Sequence, residues 1–156
     1  MSAHVRAATD GDRDFVEAFW IKSFRAAAES GPYPPDLYFP TSRETIRRLL
    51  VRPGVDVLVL DDPASALLGF IAHEPCWRRW SRRKQVLESY HVIHYVYVRE
   101  PAREKGAAKL LLASASVRRD SPSTAYTFHT RAARYLLGSS SRWLPDAARY
   151  PSKEAP

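Results

Sequence analysis

Apolar positions along the chain change period several times, and each change marks an element. Val5-Arg-Ala-Ala-Thr9 reads as a short opening strand. Phe15, Ala18, Phe19, Ile21 (or Lys22) and Phe24 to Ala26 then recur every three to four residues, which predicts an amphipathic helix over about 11–29. Thr9 or Asp10 would cap it, with Asp12 and Asp14 at its positive end. Four prolines in Gly31–Pro40 predict an irregular segment, after which Thr41-Ser-Arg-Glu44 reads as a capping box opening a short helix that ends before Pro53. Two β-rich runs, 55–60 and 66–73, flank the turn signal Asp61-Asp-Pro-Ala-Ser and predict a hairpin. Gly69 inside the second run marks a bulge or a close backbone approach. Trp77, Trp80, Lys84 and Leu87 follow helical steps, so the segment 76–90 reads as a basic amphipathic helix or helical turn. A strand at 92–98, a helix from about 105 to 119, a strand at 124–129 and a helix at 131–137 ending at Gly138 complete the pattern. The tail from Ser139, with Trp143 and Tyr150, shows little periodicity.

Composition narrows what such a chain does. Its 156 residues suit one domain, and 45% hydrophobic with 26% charged residues is a globular balance. The single cysteine, Cys76, excludes an internal disulfide framework and a cysteine-rich metal site. The five histidines (4, 73, 91, 94, 129) share no ligand spacing with carboxylates, so no metal is expected. The start has no apolar signal segment, and runs such as Val57–Leu60 are too short to span a membrane. A cytoplasmic setting is the expectation. A net charge of +7 favours anionic partners.

The stretch Val92–Leu112 carries the sharpest chemistry. A strand runs into the charged turn Arg99-Glu-Pro-Ala-Arg-Glu-Lys-Gly106, and a helix opens at its end. The amides of a helix's first turn lack intrahelical partners and the dipole is positive there, so strand, basic turn and helix start form an anion site. Arg103 and Lys105 add positive charge, and Gly106 permits close approach to the backbone.

Arg103-Glu-Lys-Gly106-Ala-Ala108 resembles the Arg/Gln-x-x-Gly-x-Gly/Ala signature of the GNAT superfamily of N-acetyltransferases, and the order of elements fits over roughly residues 4 to 137. Glu104 departs from the Gly common there, and Ala108 stands for the second Gly. The resemblance implies one α/β (α+β) domain, 1–156, with a mixed, mostly antiparallel sheet whose central strands splay, flanked by helices. It implies acetyl-coenzyme A, itself an anion, as acyl donor. Val96, Tyr97 and Val98 would meet the pantetheine and thioester, and Arg103, Glu104, Lys105, Gly106, Ala107, Ala108 and Lys109 the pyrophosphate. The acceptor would be an amine of a small molecule or a polypeptide. Tyr33, Tyr38 and Phe39 in the proline-rich segment, and Trp77 and Trp80, are candidates to contact it.

For proton transfer, strand alternation places Val92, His94, Val96 and Val98 on one face, which makes His94 the leading base. Glu74, Glu88 and His91 are alternatives, and Tyr135 is the family-implied acid for the departing thiolate. Relative to the family, the 75–90 segment reads as an insertion, and the usual closing hairpin is missing from the tail. Two other readings stay open: a catalytically silent GNAT-like binding or structural module, and a less favoured contact with nucleic acid or protein through the basic 77–84 segment. A homodimer is also left open.

Overall fold

The computed structural model describes residues 2–27, 35–128 and 130–153, with the backbone alone for 27 and 35–41. In chain order the elements are β1 (His4–Ala7), α1 (Arg13–Ala27), α2 (Pro35–Val51), β2 (Asp56–Asp62), β3 (Ala66–Ser81), β4 (Val86–Val98), α3 (Ala107–Ser114), β5 (Thr124–Tyr126), α4 (Arg131–Leu137), β6 (Arg142–Trp143) and α5 (Asp146–Arg149). The six strands form one sheet in the order β1-β2-β3-β4-β5-β6. The first four pair antiparallel, whereas β5 runs parallel to β4 and β6 parallel to β5.

Two layers of apolar residues cover the sheet. Val16, Trp20 and Ile21 of α1 with Ile46 and Leu49 of α2 pack on Val59, Phe70, Ala72 and Tyr95. On the other face Leu111 and Leu112 of α3 and Leu137 of α4 pack on Leu60, Ile71 and Ile93. Each layer excludes water from a sheet face that would otherwise be exposed.

The N-terminal cap falls where the sequence places it. Thr9 and Asp12 form a capping box ahead of α1, and Arg6 clamps Asp12 at 2.7 Å. Three expectations change. Residues 35–40 are the first turns of α2 rather than an irregular segment, so Thr41–Glu44 lies inside a helix instead of opening one. Pro35 occupies the first helical position, where its missing N–H costs nothing. Tyr33 lies outside the described residues, as do the side chains of Tyr38 and Phe39. The segment 76–90 is also no helix but the outer part of a β-hairpin. β3 runs through Trp77 and Trp80 to Ser81, the chain turns with Gln85 N–H donating to the Ser81 carbonyl at 2.8 Å, and β4 returns. The tail contributes the short β6 and α5, for which the sequence had no periodic signal.

Candidate functional site

β4 and β5 form a fork. They pair at His91↔Thr124, Val92↔Ala125 and Ile93↔Tyr126, and the last tie is Thr127 N–H to the Ile93 carbonyl at 3.2 Å. Beyond it β4 continues beside β3 to Val98, opposite Gly69, while the chain after β5 turns away into α4. Along Tyr95 to Val98, β4 has β3 on one side, and among the described residues no strand element pairs with the other, where Thr130 stands as an isolated bridge residue ahead of α4. A cleft of about 470 Å³ occupies that side, walled by Tyr95 to Val98, Ser23, Arg103, Ala108, Thr130 and Leu136. A small cavity of about 20 Å³ marks the crotch, where His94, Tyr126 and Phe128 meet.

A β-bulge sets which side chains face where. Ala72 pairs with Tyr95 but His73 pairs with Ile93, so His94 is an extra residue in β4. Alternation is reset there: Ile93, Val96 and Val98 pack on the α3 layer, and Tyr95 and Tyr97 on the α1–α2 layer. The predicted common face of Val92, His94, Val96 and Val98 does not survive it.

At the mouth of the cleft the loop after β4 delivers helix α3. Gly106 is its cap, in the left-handed region at φ 79°, and a Cβ there would meet open space. Glu104 is also left-handed, at φ 64°, with an exposed side chain. Arg103 donates from Nε to the Val98 carbonyl at 2.9 Å, fixing the loop to the end of β4. The amides of Ala107, Ala108 and Lys109 open the helix without intrahelical acceptors. Lys105 and Lys109 are exposed beside them. This cradle suits a diphosphate, with Glu104 as an opposing charge on the same loop.

The proposed acid and bases are placed elsewhere. His94 is 1% exposed. Its Nδ1 meets Thr127 Oγ1 at 3.1 Å, and its Nε2 lies 3.4 Å from both Glu74 Oε2 and Arg52 Nη2. Burial holds its pKa below the ordinary histidine value, against the opposing pull of Glu74. Both ring nitrogens are engaged and the ring is shut from water, so His94 touches the crotch without facing the cleft. Glu74 pairs with Arg52 at 2.6 Å. Burial works against its charge, but the hydrogen bonds from His94 and Arg52 outweigh that and leave its pKa below the usual carboxylate range.

Glu88 lies on the hairpin, held by Arg79 (2.9 Å) and Lys84 (3.1 Å), which pull its pKa down to about 2. A carboxylate that acidic is a poor base. His91 bonds His73 at 2.9 Å. Tyr135 is 80% exposed and does not line the cleft, whose α4 wall is Ala132 and Leu136. Trp77 is 3% exposed and packs with Tyr90, Val92 and Leu144, away from the fork. Trp80 sits farther along the same hairpin. Residues that sequence reasoning missed include Arg52, whose guanidinium also donates to the Ala147 and Tyr150 carbonyls, and Thr127. Only the long-range pairing of β4 with β5 brings these groups together. Among the described residues no group of three or more His, Cys, Asp or Glu is placed to hold a metal, and no helix is long and apolar enough to cross a membrane.

A mixed sheet forked between its fourth and fifth strands, with a helix opening beneath the fork, is the fold of the GNAT acetyltransferases, and this chain has that fold. A Pyrococcus furiosus protein proposed to be an acetyl transferase superposes with a TM-score of 0.63 at 13% identity, over 99% of this chain and 96% of its own. An acetyltransferase from Vibrio fischeri matches with a TM-score of 0.53 at 18% identity, over 72% and 83%. A Staphylococcus aureus protein proposed as a GNAT family acetyltransferase gives 0.51 at 17%, over 72% and 87%. No protein-family model matches the sequence, and no curated protein matches it.

Proposed function

We propose that the chain transfers an acetyl group from acetyl-coenzyme A to an amine. The observation that carries this reading is the fork: the β4–β5 ladder ends at Ile93, and beyond it the edge of β4 walls a cleft beside the opening of α3. A pantetheine arm is an extended chain of amides, and a strand edge is the surface that pairs with one. The diphosphate would lie on the amides of Gly106 to Lys109, with Arg103, Lys105 and Lys109 supplying charge. Backbone N–H groups between Val96 and Val98 would hold the thioester carbonyl as it becomes an oxyanion.

In the reaction the amine nitrogen attacks the thioester carbon. The C–N bond forms, the C–S bond breaks, and coenzyme A leaves as thiolate. An amine of pKa near 10.4 needs about 5 kcal/mol to lose its proton at pH 7. With His94 sealed in the crotch, the acceptor's ammonium proton passes to solvent before attack and the next N–H proton reaches the thiolate by way of Tyr95, while we assign His94 the positioning of β3, β4 and the segment after β5. Tyr95, hydrogen-bonded to Ser23 at 2.9 Å in the cleft wall, takes the proton-donor role that Tyr135 is too exposed to fill. The acceptor class remains an amine of a small molecule or a polypeptide.

The placement of His94, Glu88 and Tyr135 outside the cleft favours a second reading, a coenzyme-A-binding module without turnover. Release of free thiol from acetyl-coenzyme A in the presence of an amine panel decides between them. Amine-dependent thiol release, lost in Tyr95→Phe with coenzyme A affinity kept, is the expected result. A raised melting temperature with no thiol release selects the binding module. Neither effect removes both.

A further inference from the structure

The β3–β4 hairpin extends past the sheet at the end opposite the fork, and its basic residues are not absorbed by acetyl transfer. Five cations fall between Arg78 and Lys84. Glu88 engages two of them, Arg79 and Lys84, at 2.9 and 3.1 Å. Arg78, Arg82 and Arg83 are exposed and have no carboxylate partner among the described residues. β2 ends its pairing at His73, so the edge of β3 beyond Cys76 is open on that side, and the C-terminal segment lies along it. Lys153 N–H donates to the Arg78 carbonyl at 2.9 Å, and Arg78 N–H donates to Ser152 Oγ at 2.8 Å.

Between hairpin and tail is a groove of about 380 Å³, lined by Trp77, by Trp80 and Tyr150 as aromatic walls, and by the cations Arg78, Arg79, Arg82 and Lys153, of which Arg79 is held by Glu88. Among the described residues Asp146 is the one carboxylate lining it. Tyr150 is 53% exposed, and Trp77 Nε1 donates to its carbonyl at 3.1 Å, so the ring stands on a fixed base. Arg142 lies 6.0 Å from the centre of the Tyr90 ring behind the groove and adds a flanking charge.

We propose that this groove is a docking site for single-stranded nucleic acid. A phosphate chain fits the uncompensated arginines, whose planar forks suit phosphate oxygens. The partly exposed aromatic walls accept bases, which stack on a ring whatever their identity. An acidic peptide would use the charge but has nothing to lay against Trp80 and Tyr150. The site is independent of the acetyl-transfer reading, since it shares no residue with the cleft.

The test is anisotropy of a fluorescein-labelled oligothymidylate or oligouridylate dodecamer, titrated with the full chain between about 50 and 200 mM salt. Neutralising about four phosphates gives a log–log slope near −3, a loss of about sixtyfold over that range. Arg78→Ser/Arg82→Ser/Arg83→Ser, all at exposed positions, is expected to lose more than about tenfold and flatten the slope, with coenzyme A affinity and melting temperature unchanged. Trp80→Ser and Tyr150→Ser are each expected to lose about tenfold without changing the slope. Because Trp80 is half-buried, the exposed Tyr150 variant decides the stacking claim if Trp80→Ser melts early. Binding untouched by the triple substitution overturns the proposal. So does polyglutamate competing as well as the oligonucleotide with the aromatic variants unaffected, which would identify an acidic protein surface instead.

Discussion

Arg52 is the side chain on which four parts of the molecule converge. It directly follows α2, pairs with Glu74 of β3, approaches His94 of β4 and donates to two carbonyls of the C-terminal segment. Its Nε is buried without a partner among the described residues, so the group is held at some cost. Arg52→Met would leave the Glu74 carboxylate buried beside a neutral imidazole, which is expected to cost about 3–5 kcal/mol. Arg52→Met with Glu74→Gln should recover part of that loss, and urea midpoints of the three proteins measure it. Histidine protonation sets a second expectation. Burial, helped by the neighbouring His91, lowers His73 to about 4, and burial lowers His91 and His94 as well. The unfolded chain takes up these protons near pH 6.5, while the folded chain resists them. Stability is therefore full above about pH 6.5 and falls as pH drops toward 4. His73 contributes on the order of 2 kcal/mol to that slope. His73→Gln should flatten the urea midpoint against pH across this window, and an unchanged slope would place the proton uptake elsewhere.

At the scale of the element, β4 does most of the positioning. Its free edge stays straight because β3 supports it closely: a Cβ on Gly69 would stand 2.4 Å from the Tyr97 carbonyl oxygen. Gly69→Ala must push the strands apart where the cleft is walled by Tyr97 and Val98. We expect a loss of roughly 2 kcal/mol or more in stability and a weaker coenzyme A interaction, read by thermal melts with and without ligand. The strand–turn–helix unit from Val92 to Leu112 was legible in the sequence because its signals are local: a β-branched run, Pro101, then Gly106 before Ala and Leu. The hairpin was not, because Trp77, Trp80, Lys84 and Leu87 mimic a helical stripe, while the strand assignment depends on pairing with residues across the turn. The bulge at His94 has no local signature either, and it alone undid the predicted alternation. The capping box at Thr41 misled for a related reason, since Pro35 is compatible with a first helical turn and let α2 begin six residues sooner. Arg52 and Thr127 join the site only through sheet order, which no short window contains.

Across the whole molecule the two proposed anion-binding surfaces lie at opposite ends of one strand. β4 begins at the hairpin turn and ends at the loop that feeds α3, and its 13 residues span about 40 Å. At 0.15 M ionic strength charges in water are screened within about 8 Å, so the groove's arginines contribute little field at the diphosphate cradle. Mechanical coupling along β4 would pass through the buried cluster of Arg52, Glu74 and His94, whose burial and 2.6 Å ion pair resist rearrangement. Coenzyme A affinity measured with and without a saturating oligonucleotide should therefore agree within about twofold, which is under 0.5 kcal/mol of coupling. Arg103→Glu should abolish the melting-temperature rise with acetyl-coenzyme A while the oligonucleotide still binds, and the triple hairpin substitution should do the reverse. A coupling of tenfold or more would mean that the hairpin and the fork move together, and the bulge at His94, midway between them, would be the place to look for the hinge.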